Sequence, residues 1–434
     1  MLKRRLGFWD SVAINIGIVI GVGIFRTPGE VAKYLDASHI ILLAWVAGGV
    51  ITLLGGLCYA ELSSSFPQTG GTYVYLRESY GRLAGFLYGW VEILILRAGS
   101  LAGVAYVFAD YLVSLFPPLA GASKWIAVAG VVFFTGLNVI GLHYGTRTQA
   151  VLSMMKVVIL LAMSVLIFRF GSGGSLWTQT GTAGTSSWGT WAGFAPALIP
   201  VLWSYGGFHE STFMSGEFKD TRRELPLSLI VSTLAVMALY LLVNVAYLKM
   251  VTPSEMAGTT AIASDIFKSL FGPRGQWLIA CAILISASGA LNSTILTGAR
   301  IPFALGTDHA RVGWLGTIHA GFETPARAFL FNGVWASVLV LWGNFESLLF
   351  FTGFVKWLEF ILVGASVFIL RKRIAAEDRF LMVGYPLVPL AFTAASVWLC
   401  LAVAIHTPMH AFTGLAVIVA GVPVYYFLCH KQQS

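Results

Sequence analysis

The chain is a succession of apolar runs, most of them about as long as a bilayer is thick, separated by short polar connections. About 20 apolar residues in a helix cross a hydrocarbon core of roughly 30 Å. The pattern predicts spans over 7–34, 38–63, 81–115, 123–142, 147–170, 190–214, 226–250, 275–303, 325–343, 346–371, 382–405 and 408–429. Stretches such as 157–168 and 234–245 are apolar nearly throughout. They lack the strict alternation of a membrane barrel strand, so the expected fold class is an all-α polytopic membrane protein with 12 transmembrane helices.

Two of these runs contain residues that a continuous helix does not need. In 14–29, Gly21-Val22-Gly23 sits in the middle, with Arg26 and Pro28 beyond it. Glycine in a helix interior costs about 1 kcal/mol against alanine. One reading is a packing face, since Gly17 and Gly21 form a GxxxG pair. The other is a helix that unwinds at mid-membrane, where broken backbone survives only if it is buried in protein or lines a cavity. The run Trp203-Ser204-Tyr205-Gly206-Gly207-Phe208-His209-Glu210 is a second interruption, in span six. Spans one and six open the two halves of a five-plus-five arrangement. Paired interruptions at corresponding positions are the sequence pointer to a transport site.

Composition agrees with a membrane protein: 57% of residues are hydrophobic and 11% charged, against about 25% charged in soluble domains. The net charge of +8 reads as cytoplasmic loops rather than as a nucleic-acid surface. With the N-terminus inside, one side of the membrane collects Lys3, Arg4, Arg5, Arg77, Arg82, Arg147, Lys219, Arg222, Arg223, Arg300, Arg311, Arg327, Arg371, Lys372, Arg373, Arg379 and Lys431. The other side collects Lys33, Lys124, Arg169, Lys249, Lys268 and Arg274. This asymmetry predicts an even number of spans with both termini in the cytoplasm. The cysteines, Cys58, Cys281, Cys400 and Cys429, lie in or beside apolar runs without paired spacing and read as buried hydrophobes. A Gly/Ser/Thr-rich connection over 171–189 reads as a flexible loop, and 251–274 as a connection holding a short amphipathic helix.

The order and spacing of several short motifs carry a resemblance. They are Ile20-Gly21-Val22-Gly23-Ile24-Phe25, Tyr59-Ala60-Glu61-Leu62, Ser79-Tyr80-Gly81, Trp90-Val91-Glu92-Ile93-Leu94-Ile95-Leu96-Arg97, Thr146-Arg147-Thr148-Gln149, Ser204-Tyr205-Gly206-Gly207, Arg223-Glu224-Leu225-Pro226 and Gly421-Val422-Pro423-Val424-Tyr425-Tyr426. Nearly end to end, the chain resembles the amino acid–polyamine–organocation (APC) superfamily, and within it the L-type amino-acid transporters and their bacterial homologues. The resemblance implies a LeuT-type fold: a first five-helix repeat over 1–170, an inverted second repeat over 190–371, and two additional helices over 382–429. It implies that backbone N–H groups around Gly21, Val22 and Gly23 meet a substrate carboxylate. The carbonyls of Val19, Trp203 and Gly206 would meet its ammonium. Elementary electrostatics agrees, because the ends of broken helices offer partial charges of both signs to a zwitterion.

Side chains then tune the site. By the resemblance, Lys156 in span five occupies the place where sodium-coupled relatives hold their ion, tying span one to spans five and eight. A lysine near a membrane face also snorkels, and that reading stays open. Trp203 matches an aromatic gate. Ser204, Gly207 and His209 complete the expected substrate-binding set, and His209 reads equally as a hydrogen-bonded core histidine. Glu92 is expected to pair with a helix neighbour or Arg97, Lys356 with Glu359, and Ser286, Ser288 and Asn292 to act as polar glue.

The function expected is secondary active transport of neutral L-amino acids, by exchange or permeation through alternating access. The alternatives are a cationic amino-acid or polyamine permease, for which Glu210 is the candidate acid, and, in a different class, a channel or non-transporting sensor. No motif for an enzyme, a nucleotide or a metal stands out, so no cofactor is expected. The connection Pro117-Pro118-Leu119-Ala120-Gly121-Ala122-Ser123 has no cysteine. By the resemblance, this predicts no disulfide-linked heavy chain and a prokaryotic protein of the cytoplasmic membrane.

Overall fold

The computed structural model describes residues 2–171, 193–259, 261–342, 345–406 and 408–429. Apart from Gly171, the connection expected at 171–189 lies outside them. The described residues fold into helices, with one isolated backbone bridge between Leu6 and Phe218. In chain order the α-helices are α1 (Phe8–Val19), α2 (Thr27–Ala32), α3 (Ser38–Ser65), α4 (Thr72–Tyr80), α5 (Arg82–Val91), α6 (Ala98–Leu115), α7 (Ser123–Val139) and α8 (Leu142–Phe170). They continue as α9 (Phe194–Ser204), α10 (Glu224–Met250), α11 (Pro253–Ala257), α12 (Ile262–Gly298) and α13 (Arg300–Asp308). The last are α14 (Ala326–Trp342), α15 (Phe345–Leu370), α16 (Leu387–His406) and α17 (Pro408–Cys429). Seven helical stretches among the described residues are long and apolar enough to cross a membrane, and α1, α7, α9 and α14 are shorter apolar helices. The chain is therefore a multi-pass membrane protein.

Both expected interruptions are present. The first run forms α1, leaves helical geometry at Ile20 (φ −75°, ψ 74°), makes a 3-10 turn over Gly23–Phe25 and resumes as α2, with Pro28 in its first turn. The missing proline N–H costs nothing in a first turn, and its φ is already helical. The second run forms α9, turns at Tyr205–His209 and continues as a 3-10 segment over Glu210–Glu217.

Three elements depart from the sequence pattern. Between α5 and α6 the chain makes a π-helical turn over Glu92–Arg97. Helix α8 begins at Leu142 rather than near 147. Helix α12 extends back through a kink at Gly272 (φ 63°) and Pro273 into the segment expected to be a connection. A glycine at positive φ followed by proline absorbs the bend that would otherwise end the helix.

Helix α1 packs against α8, α10 and α12, which places its broken end inside the bundle. The end where α1 starts is closed by backbone and charge. Arg5 and Leu6 N–H groups donate to the Glu217 carbonyl (2.8 and 2.9 Å), and Lys219 N–H donates back to the Leu6 carbonyl (3.0 Å). The Glu217 carboxylate takes a two-pronged bond from fully buried Arg300 at 2.8 and 2.7 Å.

Candidate substrate site

A helix that stops leaves carbonyls without partners, and inside a membrane these must be satisfied by the protein. The neighbours of α1 supply the donors. Lys156 Nζ, from α8, donates to the Gly17 carbonyl at 2.5 Å. Tyr240 Oη, from α10, donates to the Val19 carbonyl at 2.6 Å and reaches the Ser204 carbonyl of the other break at 3.2 Å. Ser286 Oγ, from α12, donates to the carbonyls of Ile20 (3.1 Å) and Gly21 (2.9 Å). The Tyr240 hydroxyl therefore ties the two interruptions together.

The donors on the other side of the break are less occupied. The Gly21 N–H bonds the Val19 carbonyl at 2.7 Å in a tight turn, and the Phe25 and Arg26 N–H groups close the 3-10 turn. Among the described residues, the N–H groups of Val22 and Gly23 donate to no backbone carbonyl. They stand at the start of a helical turn, where free N–H groups form a ready anion site.

The two breaks touch. A Cβ on Gly23 would lie 2.9 Å from Ser204 Oγ and 3.3 Å from Trp203 Cζ3. Gly207 sits at φ 93°, and a Cβ there would lie 2.1 Å from the Ile18 side chain. Glycine is needed at the first position by close approach and at the second also by backbone conformation.

Beside this contact lies a cavity of about 270 Å³. Val19, Gly21, Val22, Gly23, Trp203, Ser204, Gly206 and Gly207 all line it, which brings together eight of the nine expected substrate-binding residues. Trp203 is half exposed (49%), with its ring against the first break. The Trp203 carbonyl already accepts the Gly206 N–H at 3.0 Å.

His209 is placed apart from the others. It is fully buried behind the break, stacked on Tyr59 at 4.4 Å and edged by Phe208, Phe213 and Phe360. It does not line the cavity. Lys156 lies below the break and holds the last turn of α1; its stem also abuts Gly289 of α12, where an added Cβ would meet Lys156 Cε at 2.6 Å. It is 1% exposed, so it does not snorkel.

The sequence pattern does not reveal that the cavity has a charged wall, made by Glu92, Arg97, Glu210 and Lys356. Glu92 and Arg97 are five residues apart, a spacing that does not face in an α-helix. The π turn brings them to 2.8 Å. Lys356 pairs with Glu359 at 2.9 Å, as their three-residue spacing predicts. Glu210 accepts from Arg97 (2.9 Å) and Thr297 (2.7 Å). The available signal was the presence of ionisable residues inside spans, which marks a functional site by default.

The chain is similar to known proteins along nearly its whole length. The family model described as amino acid permease matches residues 6–429. The serine/threonine exchanger SteT of Bacillus subtilis is 31% identical over all of this chain and 98% of its own length. The mouse Asc-type amino acid transporter 1 is 30% identical over 98% of this chain and 81% of its own length. The human b(0,+)-type amino acid transporter 1 is 28% identical, over 98% of this chain and 88% of its own.

Proposed function

Because the chain belongs to the amino acid permease family, we propose that it is a secondary transporter exchanging neutral L-amino acids across the cytoplasmic membrane by alternating access. The observation that carries the reading is the meeting of two interrupted helices at one cavity. There the free N–H groups of Val22 and Gly23 take the substrate carboxylate. The carbonyls of Trp203 and Gly206 stand where its ammonium binds, and the Val19 carbonyl, already accepting from the Gly21 N–H and Tyr240 Oη, lines the same site. Trp203 closes over the bound molecule and Ser204 contacts it. Lys156 holds the end of α1 in register with α8 and α12 and takes the place of a bound cation.

The architecture we propose has twelve spans, two inverted five-helix repeats and two further helices, with both termini cytoplasmic. The order of interrupted and continuous helices supports it. Neutral substrates are favoured over cationic amino acids or polyamines because both acids that line the cavity, Glu210 and Glu92, are already paired with Arg97.

The test is counterflow. Purified protein in liposomes preloaded with one unlabelled L-amino acid is offered trace label of a panel outside. Uptake of neutral L-amino acids that depends on internal amino acid supports exchange. Preference for arginine or a polyamine points to the cationic reading, and unsaturable flux indifferent to the internal load points to a channel.

A further inference from the structure

The charged wall of the cavity extends beyond what recognition of a neutral zwitterion requires. Five charged side chains inside the bundle stand in line with alternating sign. Arg97 Nη1 lies 2.9 Å from Glu210, and Arg97 Nη2 lies 2.8 Å from Glu92. The second Glu92 oxygen is 3.9 Å from Lys356 Nζ, which is 2.9 Å from Glu359. All three carboxylates and Arg97 are buried, with side-chain exposures of 7% or less, while Lys356 is about one quarter exposed, toward the cavity.

The line begins and ends on a carboxylate, so three acids face two cations. An unbalanced charge at this depth is expensive and is compensated in the structures that tolerate it. At the Glu359 end the compensating group is present. His209 Nε2 is 3.8 Å from Glu359 Oε1, and neither ring nitrogen of His209 has a hydrogen-bond partner among the described residues. Buried polar nitrogens are otherwise nearly always partnered. Tyr59 from α3 and Thr72 from α4 also donate to Glu359 Oε1, at 3.2 and 3.1 Å.

We propose that the Glu359–His209 pair binds one proton, and that this proton moves with the amino acid, making the protein a proton-coupled carrier as well as an exchanger. A proton held between the Glu359 carboxylate and His209 Nε2 cancels the excess negative charge of the line and balances it. The groups facing the pair are known from every side. Tyr59 (α3), Thr72 (α4), Tyr88 (α5), Glu92 and Arg97 (π turn), Glu210 beside His209, and Lys356 on α15 surround it. Of these, Arg97 and Lys356 oppose the added positive charge and the carboxylates favour it. The site communicates with the cavity in two ways. His209 is two residues beyond Gly207, so movement of the second break changes its distance to Glu359. Lys356 touches both Glu359 and the cavity, so a bound substrate alters the field at the pair. The proton enters from water on the side from which the substrate binds and leaves to water on the other.

The binding half of this inference stands on the cluster alone, and the coupling half rests on the transport reading above. Two measurements separate them. Infrared difference spectra of the detergent-purified protein, without substrate, are taken across a pH titration. A carboxyl or imidazole signal that titrates in the wild type and disappears in both Glu359→Gln and His209→Gln is expected. A wild-type spectrum unchanged by either substitution overturns the site, whatever transport shows. Empty liposomes holding the protein are then given an acid exterior and labelled L-serine, with L-alanine and L-leucine in parallel. For one proton per substrate, a gradient of one pH unit sustains about tenfold accumulation. This accumulation should vanish with a protonophore and in Glu359→Gln, while Glu359→Asp retains it. Counterflow without gradient-driven accumulation in the wild type overturns coupling. Absence of both for every amino acid, with the titrating signal intact, overturns the transport reading and the coupling built on it but leaves the proton site standing.

Discussion

Replacing Gly23 with alanine adds one methyl group where the two breaks meet. That carbon would lie 2.9 Å from Ser204 Oγ, 3.3 Å from Trp203 Cζ3 and 3.4 Å from Ser204 Cα. The hydroxyl can rotate away, but Ser204 Cα is backbone and the indole is wedged against the break, so the two segments must separate by a few tenths of an ångström. Overpacking of this kind typically costs about 1–3 kcal/mol. If the cost falls on the conformation that holds substrate, exchange drops by about 5- to 150-fold. Gly21→Ala is the internal control. Its Cβ would meet nothing closer than the Ile18 carbonyl at 3.6 Å, an ordinary contact, and the loss should stay below about threefold. Adding Ser204→Gly to Gly23→Ala removes the nearest atom and should recover part of the loss, measured as a coupling against the Ser204→Gly single variant. Initial rates of counterflow, normalised to monodisperse protein inserted in the liposomes, give the answer. Equal loss in Gly21→Ala and Gly23→Ala, or no coupling with Ser204→Gly, would refute the steric argument.

Three further outcomes follow from the same geometry. Lys156→Ala leaves the Gly17 carbonyl without its donor, and Gly289→Ala pushes on the lysine stem from the opposite side; both should slow counterflow at least about fivefold, since a buried unpartnered polar group and an overpacked contact each cost about 1–3 kcal/mol, and normal rates in both would remove Lys156 from the account. Arg300→Gln strands the buried Glu217 carboxylate and should cost about 3–5 kcal/mol of stability, seen as a lower melting temperature that Glu217→Gln in the same chain partly restores. Outside the membrane, hydrogen bonds from Lys3 and the charges of Lys3 and Arg5 hold the Glu323 carboxyl below the usual carboxylate range. A depressed folded-state pKa means the contact is complete above the ordinary carboxylate pKa and is lost as pH falls through the lowered value. Amide exchange at Arg5 and Leu6 should therefore quicken, after correction for intrinsic rates, only in that acidic window, and Glu323→Gln should abolish the pH dependence.

Much of the architecture was legible because apolar run length and glycine placement are local signals. Gly21-Val22-Gly23 and Gly206-Gly207 marked both breaks, and eight of the nine residues expected around them share one cavity. The side-chain partners of the break were not legible. Nothing in the apolar run around Tyr240 shows that its hydroxyl bridges Val19 and Ser204. The charged wall depends on a π turn, which no residue pattern announces, and without it Glu92 and Arg97 point to different faces. His209 follows the break in sequence, yet the turn after Gly207 carries it behind the cavity into an aromatic box. Sequence adjacency to the break was a poor guide there because a positive φ at Gly207 redirects the chain.

The central claim is that free backbone N–H groups at Val22 and Gly23 hold the substrate's carboxylate while opposed carbonyls hold its ammonium. It is tested most directly by competition against counterflow of the best neutral L-amino acid, using the same molecule altered at one end. The account predicts that the unmodified zwitterion competes, and that its methyl ester, its decarboxylated amine and its deaminated acid each compete at least about tenfold more weakly, because a lost charge-assisted hydrogen bond is worth about 1.5–3 kcal/mol. Competition by the ester or the amine equal to that of the parent amino acid would contradict the assignment of the carboxylate to the first break.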